Sequence, residues 1–245
     1  MSNAIMLMSA AGSRAGFFTD SYLFTYILCF AAMIFAMICS ARVNSIFAKY
    51  SKQHSRKGVQ ACEVARRILD ENGLQDVTVV RISGHLTDNF NPKTKVVSLS
   101  DSVYDSTSLA AIGVAAHECG HAVQHATGYL PITIRTAIVP LASIGSRLYI
   151  YVFLLGILFS FEPLVNIGIW LFAFVVLFQL VTLPVEFNAS SRALRTLRDS
   201  FILDADEVPA ARKTLSAAAM TYVASLIVSI TQLMRLLAQS RSRRR

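Results

Sequence analysis

The sequence from Ser108 reads SLAAIGVAAHECGHAVQHATG, and its chemistry lies in three residues. His117 and His121 stand four apart, so on a helix both imidazoles project from one face. Glu118 lies beside them, completing H-E-x-x-H. In that pattern two neutral imidazoles hold Zn²⁺ and the glutamate acts on the water the metal activates. Zinc lowers the pKa of water towards neutrality. A carboxylate next to that water can take its proton and pass it to a leaving amine. The chain holds only five histidines, so a chance match is improbable.

His125 extends the stripe by another four residues. It stands about 12 Å from His117 along a helix axis, too far for one metal with bonds of about 2.0–2.1 Å. A glycine three residues after the second histidine could break the helix and bring in a third one. Gln124 occupies that position, so His125 reads as a polar face residue.

A catalytic zinc site needs a third protein ligand and one open position. The acids after His121 are Glu162, Glu186, Asp199, Asp204, Asp206 and Glu207. The choice among them depends on the elements that carry them.

Of the 245 residues, 54% are hydrophobic and 16% charged, and Lys and Arg exceed Asp and Glu by 23 − 15 = 8. This composition excludes a disordered chain and points to a membrane protein with water-facing segments. Residues 22–41 form an uncharged run long enough to cross a hydrocarbon core, and it is read as a retained span rather than a cleaved signal. Residues 42–144 form a polar portion. It opens with Arg42, Lys49, Lys52, Arg56 and Lys57 before any acid, which places it on the cytoplasmic side. Further spans are expected at 145–161 and 164–183, with Pro184 ending the second of these. A polar segment over 184–214 and a fourth apolar stretch over 215–237 follow. Four spans starting outside would leave the RSRRR tail outside, against the charge bias.

Within the polar portion, residues 58–72 predict an amphipathic helix. Residues 77–82 and 96–99 predict two strands, and the GHLTDNFNPKTK stretch between them reads as turn. The motif helix is expected over 107–127, capped by Ser106 or Thr107. Cys29, Cys39, Cys62 and Cys119 show no paired spacing and read as reduced thiols.

Topology prunes the ligand list. A ligand must share the membrane face of His117, so an even number of spans must separate them. Glu162 follows one span and is excluded. Glu186 follows two and opens a polar helix just past Pro184, so it is the expected third ligand.

The stretches from Gly84 to Pro140, GHLTDNFNPKTKVVSLSDSVYDSTSLAAIGVAAHECGHAVQHATGYLPITIRTAIVP, and FQLVTLPVEFNASSRAL resemble the YugP family of neutral zinc metallopeptidases of bacterial membranes. EVARRILDENGL and AARKTLSAAAMTYVASL resemble it as well. The resemblance implies one Zn²⁺ per chain at His117, His121 and Glu186, with Glu118 as base. It implies an α-helical polytopic membrane protein with a small α+β zincin-like portion at the cytoplasmic face. The expected setting is the cell membrane, the expected partners a protein or peptide substrate and the lipid bilayer, with no nucleic acid and no expectation for oligomeric state. Related membrane peptidases carry an orienting aspartate four residues after the third ligand, where this chain has Ser190. His85, Tyr104, Asn188 and Arg192 are candidates for oxyanion stabilisation. Two other readings remain: an intramembrane site-2-type protease, whose LDG-type ligand would correspond to Asp204, and a non-catalytic zinc-binding membrane scaffold.

Overall fold

The computed structural model describes the backbone of residues 2–243 and the side chains of residues 23–241. The end of the RSRRR tail, on which the charge-bias argument drew, lies outside the described side chains. The element order is α1 (Ser2–Tyr50), α2 (Ala61–Glu71), β1 (Thr78–Ile82), β2 (Asn89–Asn91), β3 (Val96–Ser100), α3 (Leu109–Ala126), α4 (Leu130–Leu158), α5 (Glu162–Asp199) and α6 (Val208–Arg243). Among the described residues, four helices are long and apolar enough to cross a membrane: Leu23–Tyr50, Leu130–Leu158, Glu162–Asp199 and Val208–Arg241. The last has the lowest mean hydropathy, 1.6, and also the most buried apolar window, 39% against 17–22% for the others. An inward-facing helix can carry small and polar residues such as Ala217, Ala219 and Thr214 where a lipid-facing one needs bulky apolar ones.

The chain divides into two compact units. The first comprises residues 1–37, 138–179 and 224–245. Its core is small: Phe153, Val165, Phe172 and Leu236. Lipid tails are as apolar as these side chains, so helices in a bilayer associate through close packing rather than through expulsion of water. Glycines supply that closeness. A Cβ on Gly168 of α5 would lie 2.8 Å from Phe153 Cβ of α4, and one on Gly156 of α4 would lie 2.5 Å from Val165 N of α5.

The second unit comprises residues 38–137 and 180–223. It holds a mixed three-stranded sheet in the order β1-β3-β2, with β1 parallel and β2 antiparallel to β3. The central strand β3 buries Val97 and Leu99. The edge strand β2 falls inside the stretch expected to be turn. Its sequence, Asn-Phe-Asn, carries little strand propensity and is fixed by its partner instead. Asp88 anchors its start by accepting hydrogen bonds from the Ser100 backbone N–H at 2.7 Å and from the Ser100 hydroxyl.

Helix α2 is amphipathic and buries Val64, Ala65, Ile68 and Leu69. Helix α3 is capped by Ser108, whose hydroxyl accepts from Ala111 N at 3.2 Å, rather than by Ser106 or Thr107. Its small residues Ala110, Ala111, Ala115, Ala116 and Cys119 are buried in one cluster with residues of α2, β3, α5 and α6. Pro184 does not end its helix. Helix α5 runs unbroken through it, although proline removes one backbone donor. Residues 185–199 thus continue the same helical element as the apolar run before them.

Candidate metal centre

Helix α3 presents His117 and His121 on one stripe, their rings 4.7 Å apart and edge to face. Helix α5 brings Glu186 opposite them. What permits the approach is Gly120, in the turn between the two histidines. A Cβ there would lie 2.8 Å from the carbonyl oxygen of Ala189, one turn beyond Glu186. The backbones of α3 and α5 therefore touch where the three side chains must converge.

Glu186 is 2% exposed, and its two oxygens have different neighbours. Oε2 lies 3.2 Å from His117 Nε2 and 3.6 Å from His121 Nε2. Oε1 lies 3.5 Å from Arg135 Nη1. Tyr222 also lies within the electrostatic reach of this carboxylate. One ligand atom from each of His117, His121 and Glu186 lies within 4.8 Å of the others. Zinc bonds of about 2.0–2.1 Å arranged tetrahedrally set ligand atoms about 3.3 Å apart, which is close to the two separations to Oε2. The donor set therefore fits zinc.

Glu118 is also buried. Burial pushes its carboxyl above the usual carboxylate range, against the opposing influence of His117 and His121, and the charge of Glu186 raises it further. For His121, burial opposes the charged ring, yet Glu186 and Glu118 hold its pKa above the ordinary histidine value. Two carboxylates enclosed with two imidazoles form a site that favours a cation.

The outer ring nitrogens are held as well. Ser190 Oγ lies 3.1 Å from His117 Nδ1, so the residue in the place of the expected aspartate does contact the ring. Gln124 Oε1 lies 3.0 Å from His121 Nδ1. Orienting contacts of this kind keep a metal ligand aimed.

The oxyanion candidates do not gather here. Arg192 Nε donates to Asn188 Oδ1 at 2.8 Å, and Asn188 accepts from Gln124 as well. His85 packs edge-on against Phe47 at 5.4 Å, and Tyr104 lines a groove with Cys62 and Arg66. The polar groups that do reach Glu186, Arg135 and Tyr222, are 51 and 36 residues from it in sequence, and nothing in their local sequence marks them. Asp204 is likewise remote in role. It pairs with Arg56 at 3.3 Å and Lys57 at 3.8 Å and does not join the triad. His125 is exposed and meets Phe90 of β2, 6.3 Å between ring centroids. All four cysteines are free thiols, and burial pushes the Cys119 thiol up.

A convergent His-His-Glu set on two helices, beside a buried glutamate, is the kind of site a zinc peptidase uses. Residues 25–241 match the family described as "Putative neutral zinc metallopeptidase", and the chain belongs to that family. A curated relative, "Putative membrane protease YugP" of Bacillus subtilis (strain 168), is 44% identical over 208 residues, 85% of this chain and 92% of the relative. No solved structure matches the chain.

Proposed function

We propose that this chain is a zinc endopeptidase that hydrolyses peptide bonds of membrane or membrane-proximal proteins. One zinc ion per chain is held by His117, His121 and Glu186, and Glu118 is the general base. The observation that carries this reading is the spacing of the three ligand atoms around a buried point with Glu118 beside it. Three protein ligands leave one position for substrate and water, whereas a structural zinc site is closed by four. Among the described residues the group has three members, which favours a catalytic over a scaffold role.

When bound, zinc supplies a Lewis acid that lowers the pKa of water and polarises a carbonyl. The Glu118 carboxylate takes a proton from the attacking water and delivers it to the departing amine nitrogen. A cation next to Glu118 favours its ionised form, offsetting the upward push of burial. Ser190 and Gln124 hold the two imidazole rings, and Arg135 engages Glu186 Oε1 so that Oε2 faces the histidines.

The site faces the cytoplasm in this reading. The support is the run of Arg42, Lys49, Lys52, Arg56 and Lys57 that follows the first apolar helix.

Metal analysis of the purified protein and of Glu186→Ala tests the centre. One equivalent of zinc is expected in the first and none tightly held in the second. Full cleavage of a quenched fluorescent peptide library by zinc-loaded Glu118→Gln would sink the enzymatic reading. Labelling of single cysteines placed near Ser108 from either side of a sealed vesicle tests the orientation. Labelling only from the outer face would reverse it.

A further inference from the structure

Val80 and Phe201 apart, the exposed bulky apolar side chains of the second unit lie on α1, α4, α5 and α6, the helices that also carry the membrane-length apolar runs. Three of them mark the level of the metal centre. On α5, Phe187 is exposed and directly follows Glu186. On α4, Ile134 is exposed and directly precedes Arg135, which stands 3.5 Å from Glu186 Oε1. On α6, Met220 is exposed two residues before Tyr222, which lies within the electrostatic reach of Glu186. Each of these helices therefore turns an apolar side chain outward within about 3 Å of rise from the residue that belongs to the centre.

Past this level the outward faces change in one order. On α5 the exposed positions after Phe187 include Ser191, Arg195 and Arg198. On α6, moving from Met220 towards the start of the helix, they are Ser216, Lys213 and Arg212. On α1, Ile38 is followed by exposed Ser40, Arg42 and Lys49. None of the three exposes another bulky apolar side chain before its polar end. Apolar, then small and polar, then cationic is the order a helix presents as it leaves acyl chains and passes the phosphates of the headgroups. One order repeated on three helices fits a lipid surface, which is layered the same way all round, better than a protein partner seated on one side.

We propose that Ile134, Phe187 and Met220 form a collar that sets the metal centre at the boundary between acyl chains and headgroups, and that its substrates are membrane proteins cut at the end of a transmembrane helix. The substrate half rests on the peptidase reading; the depth does not. A helix inside the hydrocarbon core pairs all its backbone groups within itself and offers no free peptide bond, since an unpaired group has no water there. At the helix end the last four carbonyls lack intrahelical partners, so the backbone can leave the helix and enter the site extended. A centre at this depth meets a substrate helix where it first becomes cleavable.

The test uses the full chain in phosphatidylcholine vesicles. Trp170→Phe removes the single tryptophan, and Ile134→Trp, Phe187→Trp and Met220→Trp then report one exposed position each. Phe201→Trp is the control, on the turn beyond α5 and about 18 Å of helix past Phe187. Lipids brominated near the headgroup end of the acyl chains are expected to quench the three collar tryptophans more than lipids brominated near the chain terminus. Aqueous iodide is expected to quench the control and to spare the collar. Three separate positions keep the test alive should one variant fail to fold. The substrate arm uses zinc-loaded parent protein and a single-pass protein with a randomised segment. That segment follows the transmembrane helix directly or follows an inserted folded domain. Mass spectrometry is expected to find cuts within about five residues of the helix end, and cleavage beyond the inserted domain slower by about tenfold or more. Collar tryptophans quenched by iodide and not by lipid would overturn the proposal, as would collar tryptophans shielded from both by a covering protein. Equal cleavage of the two substrates would overturn it as well. Lipid quenching of the collar with no cleavage of either substrate would leave the depth standing and sink the peptidase reading.

Discussion

In the first unit Trp170 is 69% exposed and Leu158 73% exposed, while in the second Leu197, Leu99 and Ile112 are fully enclosed. Large exposed apolar surfaces of this kind are rare on soluble proteins and suit a bilayer. Helices in that setting gain little by hiding leucines from one another and must hold together by contact distance, hence Gly156 and Gly168. The second unit has a water-driven core, with α2, β3, α3, α5 and α6 contributing to one cluster. The comparison teaches where a reactive polar cluster can be kept. Buried carboxylates and imidazoles need partners on every side, and the second unit supplies them from Ser190, Gln124, Arg135 and Tyr222.

Substitutions can break or sharpen this contrast. The largest effect is expected from Glu118→Gln, with kcat lower by about 10²–10⁴-fold and zinc content unchanged. Steady-state kinetics beside metal analysis checks it. Next is Leu197→Ala in the core of the second unit, expected to cost about 2–5 kcal/mol of stability, read as a lower denaturation midpoint. Gly168→Val in the first unit is expected to cost about 1–3 kcal/mol through the clash with Phe153 while leaving zinc affinity in place. A tenfold loss of zinc affinity there would break the division of labour between the units. Smallest is Ser190→Ala, for which chelator competition should show zinc binding weaker by about tenfold, or about 1.4 kcal/mol, with little change in melting temperature.

Much of this arrangement could be read from residue order. His117, Glu118 and His121 are declared by spacing, and Glu186 follows from counting apolar runs, because both signals are local or additive along the chain. The four membrane-length helices come from the same kind of count. What stayed hidden depends on partners distant in sequence. Strand β2 exists through pairing with β3, and its Asn-Phe-Asn has no strand signature of its own. Arg135 and Tyr222 matter only because α5 carries Glu186 to them. Pro184 looked like a terminator because its intrinsic cost is local, while the contacts that keep α5 helical beyond it, through buried Val185 and Ala189, are tertiary. Ser190 was visible only as a missing aspartate, since a hydroxyl two bonds from the backbone Cα has no distinctive pattern.

The glycine between the two histidines has a consequence for pattern searching. The motif is conventionally written with two free positions, yet neither is free in this protein. Cys119 Sγ sits 3.5 Å from the Ala65 carbonyl on α2, and Gly120 admits no Cβ against α5. A query that demanded a small residue and then glycine between Glu118 and His121 would select for the helix crossing as well as for the ligands. It would separate chains that can close this particular site from chains that merely spell its letters.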